Sequence, residues 1–181
     1  MAERPTQSFL DHLKLREGFE AYVYADSLKK LTGGTGHLLT KEELEKYKEG
    51  DKIDEATTTR WLKEDSSGAY NAAISQAKEA GITDQAFIEA LGSVNFQLGT
   101  NWRSKMKNAW AAIEAGEFDK AINEIKFKSG EKGTEKSDWF TQTPTRVEDF
   151  SAALKVYSIK RDLALMKPDE TTMDSVTLPP N

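Results

Sequence analysis

Three residues near the start of the chain, Glu17, Asp26 and Thr32, have the types and spacing to cleave a glycosidic bond. Glu17 ends a helix-like run and Asp26 lies in a strand-like segment, so two different elements can hold these carboxyl groups apart across one gap. Such cleavage needs one protonated carboxyl that donates to the leaving oxygen. It also needs one ionised carboxylate that activates water or stabilises the cation-like transition state. The Thr32 hydroxyl would orient that water.

The spacing of these residues does not by itself establish a catalytic site. The chain has 30 Asp and Glu residues, so many carboxylate pairs arise by chance and most of them are solvated. A threonine in a strand is also a common choice for strand propensity alone. The interpretation therefore depends on the elements that would position these side chains.

The pattern of apolar and turn residues predicts an α+β fold. A short helix over about 8–18 precedes a small antiparallel sheet over about 21–39, in which glycines 33, 34 and 36 would let the backbone approach a sugar chain closely. Thr40 and Glu43 form a capping-box signature that begins the next helix, which Gly50 would end. A proline-free run then predicts one long helix from Asp54, ended by Gly81.

The rest of the chain is predicted to be helical, with helices over about 83–99, 103–115, 117–127 and 145–166 and a charged loop over 128–138. We expect residues 1–167 to form a single domain. It would have a sheet lobe at about 19–53, a connecting helix at about 54–80, and a helical lobe at 81–167 that includes the first helix. Residues 168–181 are expected to be a flexible acidic tail. Two lobes of this kind leave a cleft, where ligands usually bind.

The composition excludes several classes of function. The chain has 181 residues, 30% of them charged, and a net charge of -5, which argues against nonspecific binding to nucleic acid. With no cysteine and two histidines, and no phosphate-binding glycine loop, no metal or other cofactor is expected. No apolar run approaches the ~20 residues that span a bilayer, and the first residues lack the features of a secretory signal. We therefore expect no membrane insertion and a cytoplasmic starting location.

The segment REGFEAYVYADSLKKLTGGTGHLLT resembles the catalytic segment of the T-even bacteriophage lysozyme family, phage endolysins that hydrolyse peptidoglycan. The signature of that family is Glu, eight residues, Asp, five residues, Thr, and this spacing is found here from Glu17 through Asp26 to Thr32. Further blocks that match in order are GTGHLLT (34–40), WLKED (61–65), NFQLG (95–99) and DWFTQTPTR (138–146).

The resemblance implies the two-lobed phage lysozyme fold and an inverting muramidase. In that family pattern Glu17 is the general acid, Asp26 is the general base or electrostatic stabiliser, and Thr32 positions the attacking water. The bond cleaved would be the β-1,4 linkage between N-acetylmuramic acid and N-acetylglucosamine.

The resemblance also implies supporting residues. Arg146 would lie beside Glu17, and His37 would form an ion pair with Asp65 that ties the sheet lobe to the long helix and raises the pKa of His37. The expected substrate contacts are Leu38, Phe96, Gln97, Leu98, Trp139 and Gln142. For Phe96, Leu98 and Trp139, packing in the core is an equally good interpretation.

Two other functions remain open at this point. A lytic transglycosylase needs the glutamate but neither a catalytic aspartate nor a water-positioning threonine. A glycan-binding or virion structural protein could use the same fold without catalysis. If the chain is an endolysin, we expect a monomer that waits in the host cytoplasm until a membrane-permeabilising holin partner releases it to act on the wall in the periplasm. Association with the virion would look the same in sequence.

Overall fold

The computed structural model describes residues 1–128 and 134–166, so the predicted tail over 168–181 lies outside the described residues. Within them the chain forms nine helices and three strands. The elements are α1 (Gln7–Glu17), β1 (Glu20–Ala25), β2 (Leu31–Gly34), β3 (His37–Leu38), α2 (Lys41–Leu44), α3 (Glu55–Glu79), α4 (Gln85–Leu98), α5 (Trp102–Lys105), α6 (Lys107–Glu114), α7 (Phe118–Lys126), α8 (Asp138–Gln142) and α9 (Pro144–Leu165). The predicted α+β class is confirmed.

The three strands form one antiparallel sheet in the order β1-β2-β3. Thr32 in β2 pairs with Tyr24 on one side and with Leu38 on the other. In β1, Val23 is buried whereas Tyr22 and Tyr24 are exposed, which is the alternation of a strand with one solvated face. The buried side packs into a small apolar cluster of Val23, Leu39, Ile53 and Trp61.

Helix α3 connects this small cluster to the larger helical core. The helix begins where the Asp54 side chain accepts a hydrogen bond of 2.8 Å from the Thr57 amide, a stabilising N-cap. Trp61 of α3 packs in the sheet cluster, while Leu62 and Tyr70 pack in the helical core. The same helix therefore positions both parts of the fold.

A buried polar network ties the helices of the larger core together. Asn95 in α4 accepts hydrogen bonds from Trp102 Nε1 at 3.0 Å and from Gln76 Nε2 at 3.1 Å, and donates to the Ala69 carbonyl oxygen at 3.0 Å. Asn95 and Gln76 are each only 2% exposed. Because the partners come from α3 and α5, the network fixes how α4 sits between these helices.

Three helices differ from the expectation. Helix α2 ends at Leu44 and not near Gly50, because the chain passes into turns after Leu44. The single helix predicted over 103–115 is divided into α5 and α6, because Met106 has a non-helical backbone with φ -118° and ψ 53°. Helix α8 was not predicted; it begins at Asp138, after an N-cap at Ser137 whose hydroxyl accepts from the Phe140 amide at 3.1 Å. Of the predicted loop over 128–138, residues 129–133 lie outside the described residues. No helix in the described part of the chain is long and apolar enough to cross a membrane.

Candidate active site

The Glu17 carboxylate is held at the C-terminal end of α1. The helix ends there because Gly18 has φ 83°, a conformation that side chains other than glycine rarely adopt. Glu17 Oε1 accepts a hydrogen bond of 2.6 Å from Arg146 Nη1. Arg146 is itself held by Ser93, whose carbonyl oxygen and Oγ accept from Nη2 at 2.8 and 3.0 Å. The guanidinium therefore links α9, α4 and the end of α1.

A depression of about 230 Å³ lies directly beside Glu17. Two aromatic rings line the depression. Phe19, directly before β1, is 48% exposed, and Tyr24, within β1, is 37% exposed. Neither ring was expected to line the site, although the alternation of β1 places Tyr24 on the solvated face. The other lining residues are Gly18, Glu20, Gly34 and Gly36.

The glycines of the sheet have different reasons to be there. Gly34 and Gly36 have φ 59° and 71°, which favours glycine, and both line the depression, as expected of positions where backbone approaches a ligand. Gly33 serves packing instead, because a Cβ at this position would collide with the Ile53 side chain.

Asp26 anchors the turn between β1 and β2. Its Oδ1 accepts hydrogen bonds from the backbone amides of Leu28 and Lys30, both at 2.8 Å. The turn contains Lys29 at φ 61°, a conformation that is uncommon for a residue other than glycine. One carboxylate oxygen thus holds the turn, and among the described residues no hydrogen bond engages Oδ2.

The Thr32 hydroxyl is nearly buried, with the residue 5% exposed. Its Oγ1 donates to the Lys30 carbonyl oxygen at 3.2 Å. A hydroxyl that uses its proton in this way still has lone pairs that can accept a hydrogen bond from water. Within the described residues, no hydrogen bond or ion pair joins Thr32 or Asp26 to Glu17.

His37 lies between two carboxylates. Its Nδ1 is 2.8 Å from Asp65 Oδ2, the predicted partner, and its Nε2 is 2.8 Å from Glu43 Oε2. The imidazole also stacks on Trp61, with the ring centres 4.2 Å apart. Glu43 is a partner that the sequence analysis missed, although its capping box with Thr40 is present as predicted.

These contacts shift the pKa values of the cluster. Burial lowers the pKa of His37, but the hydrogen bonds with Glu43 and then Asp65 outweigh it, so the net pKa is raised. Burial likewise opposes ionisation of Glu43, yet the Thr40 amide and then His37 stabilise its carboxylate, so its pKa is lowered. The cluster therefore favours the charged form of both groups.

The six expected substrate contacts lie in different environments. Gln97 uses its amide within the protein: Nε2 donates to Thr143 Oγ1 at 2.9 Å, and Oε1 accepts from Trp139 Nε1 at 3.0 Å. Trp139 is 6% exposed and belongs to the helical core.

The other four expected contacts divide by exposure. Phe96 and Leu98 are partly buried and pack against the helical core. Leu38 is 50% exposed and Gln142 is exposed. Packing accounts for Trp139 and Phe96 without a ligand, and contact of all six residues with substrate stays a prediction.

A profile described as phage lysozyme matches residues 14–137. The chain belongs to the phage lysozyme family. The match includes Glu17, Asp26 and Thr32 and ends before Trp139 and Arg146, so the resemblance seen in the sequence is confirmed over most of the chain.

Two curated relatives are similar to this member of the phage lysozyme family. One is the peptidoglycan hydrolase gp36 of Pseudomonas phage phiKMV, 31% identical over 72% of this chain but only 13% of its own length. The other is the probable T4-type lysozyme 2 of Dictyostelium discoideum, 29% identical over 77% of this chain and 88% of its own length. The chain thus corresponds to a small part of the first relative and to most of the second. In the described residues no group of three or more His, Asp or Glu side chains is suited to hold a metal ion.

Proposed function

We propose that the chain hydrolyses peptidoglycan at the β-1,4 bond between N-acetylmuramic acid and N-acetylglucosamine, with inversion at the anomeric carbon. The observation that carries this proposal is the Glu17 carboxylate, fixed by Arg146 at 2.6 Å beside a depression lined by the sheet. Membership of the phage lysozyme family and the name of the phiKMV relative support peptidoglycan as the substrate.

In the proposed mechanism Glu17 donates its proton to the glycosidic oxygen as the bond to the anomeric carbon breaks. A water molecule gives one proton to the Asp26 carboxylate, and its oxygen attacks the opposite face of the anomeric carbon. Thr32 Oγ1 accepts a hydrogen bond from the other O–H of that water and so orients it. Glu17 is then an anion, and the Arg146 guanidinium stabilises it, which favours completion of the proton transfer.

The wider role is also a proposal. Residues 1–167 would act as one catalytic domain and as a monomer, with the cleft between the sheet lobe and the helical lobe holding the glycan chain. The enzyme would be made in the cytoplasm of the host bacterium and reach the cell wall when a holin permeabilises the membrane, which would cause host lysis.

One observation favours a second candidate, a lytic transglycosylase. Asp26 and Thr32 each have a structural reason to be present, because Asp26 holds the turn amides and Thr32 binds the Lys30 carbonyl oxygen. In a transglycosylase Glu17 would still protonate the leaving oxygen. The 6-hydroxyl of the same muramic acid would then attack its own anomeric carbon, passing its proton to Glu17 and consuming no water.

Product analysis in ¹⁸O-labelled water separates these chemistries. Hydrolysis predicts muropeptides with a reducing muramic acid that carries one ¹⁸O, and NMR of the first products should show the α-anomer. A 1,6-anhydro product without the label would establish the transglycosylase instead. A reducing N-acetylglucosamine would contradict the proposed bond, and binding of peptidoglycan without any product would indicate a binding protein on the same fold.

A further inference from the structure

A second cavity, of about 400 Å³, lies among α1, α4 and α9 and is lined in part by Arg146, the residue that holds Glu17. His12 and Ser93 face the same cavity, together with Ser8, Glu89 and Asp149. None of the function proposed above uses His12, although it is one of two histidines in the chain. His12 contacts Ser93, which in turn binds the Arg146 guanidinium that holds Glu17.

The hydrogen bonds from Glu17 to His12 form a directed chain. Arg146 can only donate, so the Ser93 hydroxyl must accept from Nη2 at 3.0 Å. The Ser93 proton is then free to be donated to His12 Nε2, which lies 3.2 Å from Oγ. This arrangement requires a neutral imidazole whose Nε2 carries no proton.

Protonation of His12 reverses one link of the chain. The imidazolium Nε2–H must donate, so Ser93 Oγ would face two cationic donors, and its own proton would lose its acceptor. Such a hydroxyl holds Arg146 less firmly, and the Arg146 guanidinium then positions the Glu17 carboxyl less firmly.

The charged groups around His12 come from all three helices. Asp149 of α9 lies 3.9 Å from Nε2 and is itself bound by Arg16 of α1 through two hydrogen bonds of 2.6 and 2.8 Å. Burial lowers the pKa of His12 most strongly. Asp149 opposes this, Arg146 and Arg16 lower the pKa further, and Glu89 of α4 raises it; the net pKa is lowered. The neutral form is therefore favoured at neutral pH.

We propose that His12 is a positioning residue for the Arg146–Glu17 pair and acts through the Ser93 hydroxyl. The proposal rests on the proposed function, because it matters for catalysis only if Glu17 is the general acid. His12 does not line the depression beside Glu17. Its loss should consequently change kcat and its pH dependence while KM stays nearly constant.

The test compares pH profiles on soluble peptidoglycan fragments. His12→Gln supplies a carbonyl oxygen that can accept from Ser93 but cannot titrate, whereas His12→Leu supplies no acceptor. We expect the wild-type kcat to fall in acid with the pKa of His12, and this ionisation to be absent from His12→Gln. His12→Leu should lose up to roughly tenfold in kcat at neutral pH, the size expected for one hydrogen bond, with KM unchanged within about twofold. The matched control is His37→Gln, in which kcat should still fall in acid with the pKa of His12, as in the wild type.

A readout without catalysis tests the contact itself. Because the chain has two histidines, the NMR signal of His12 is identified by its loss in His12→Gln. Ser93→Ala removes the donor that stabilises the neutral imidazole, so it should raise the pKa of His12. In the Ser93→Ala background, His12→Leu should cause no further loss of kcat.

The outcomes separate the two proposals. The positioning role is overturned if the enzyme is active and kcat of His12→Gln still falls in acid as in the wild type. It is also overturned if Ser93→Ala leaves the pKa of His12 unchanged. Either result leaves the proposed function intact. A wild type that shows no turnover overturns the proposed function and the catalytic role of His12 with it, even if the NMR titration shows the contact.

Discussion

Arg146 and Glu17 lie 129 positions apart in the sequence, yet the guanidinium of one donates to the carboxylate of the other at 2.6 Å. The Arg146 side chain is 9% exposed and that of Glu17 is 30% exposed, so the cation is the more deeply buried member of the pair. Ser93 of α4 holds the cation through two further hydrogen bonds. The orientation of the candidate general acid thus depends on the packing of α4 against α9.

Replacement of Arg146 by lysine should separate charge from geometry. Lysine keeps the positive charge but lacks the planar fork that reaches Glu17 and Ser93 together. We expect kcat to fall at least roughly tenfold and the free energy of unfolding to fall by about 1–3 kcal/mol, because buried polar partners are left unsatisfied. Kinetics and urea denaturation measure the two effects.

Arg60→Lys is the matched control, since the Arg60–Glu64 pair is 60% exposed on both sides and 3.9 Å long. It should change neither quantity noticeably. If Arg146→Lys had the same kcat as the wild type, the planar fork of the guanidinium would not be needed.

Two substitutions of Asp26 should separate the role of its charge in catalysis from the role of its hydrogen bonds in holding the turn. Asp26→Asn keeps an oxygen that accepts from the Leu28 and Lys30 amides, so the melting temperature should stay close to that of the wild type while hydrolysis is lost. Asp26→Ala should lose both, because the turn amides lose their acceptor. A fully active Asp26→Asn would mean that the charge is not used, in agreement with a transglycosylase.

The His37 cluster should make stability depend on pH in a defined direction. The folded pKa of His37 is raised above its ordinary value of 6.5, so its contribution is complete below that pH and is lost as the pH rises through the folded pKa. The folded pKa of Glu43 is lowered from 4.5, so its contribution is present above 4.5 and is lost as the pH falls through the folded value. The difference in unfolding free energy between wild type and His37→Gln should therefore shrink as the pH rises above 6.5 and through the raised folded pKa of His37.

His12→Gln is the control with the opposite sign. The pKa of His12 is lowered, so wild type should lose stability relative to His12→Gln as the pH falls below 6.5. If the stability difference from wild type changed with pH in the same direction for His37→Gln and His12→Gln, the opposite pKa shifts of the two histidines would be refuted.

Gln97 should act on stability through Trp139. In Gln97→Leu the buried Trp139 N–H loses its acceptor at 3.0 Å, and we expect a loss of about 1–3 kcal/mol in the free energy of unfolding. Trp139→Phe removes the donor as well, so the loss caused by Gln97→Leu should be smaller in that background. Additive losses in urea denaturation would mean that the hydrogen bond contributes little.

The parts of the fold that were predicted correctly depend on local signals. The long helix α3 follows from Asp54 as its cap and from a proline-free run, and the start of α2, though not its end, follows from the capping box of Thr40 and Glu43. The division at Met106 was missed because no proline or glycine marks it in the sequence.

The candidate site shows the same limit. The spacing of Glu17, Asp26 and Thr32 was visible in the sequence because the three residues lie within one segment. The second contact of His37, with Glu43, was not predicted, because the capping box already explained that glutamate. The directed chain through Ser93 joins three helices distant in sequence, and no local pattern could indicate it.

The central claim is that Glu17 is the general acid of a peptidoglycan hydrolase, and Glu17→Gln tests it most directly. Glutamine keeps the oxygen that accepts from Arg146 but has no acidic proton to donate, so the melting temperature should be retained. Lysis of outer-membrane-permeabilised Gram-negative cells, followed as loss of turbidity, should fall by roughly 10²- to 10⁴-fold. Equal lysis by wild type and a folded Glu17→Gln would contradict the claim.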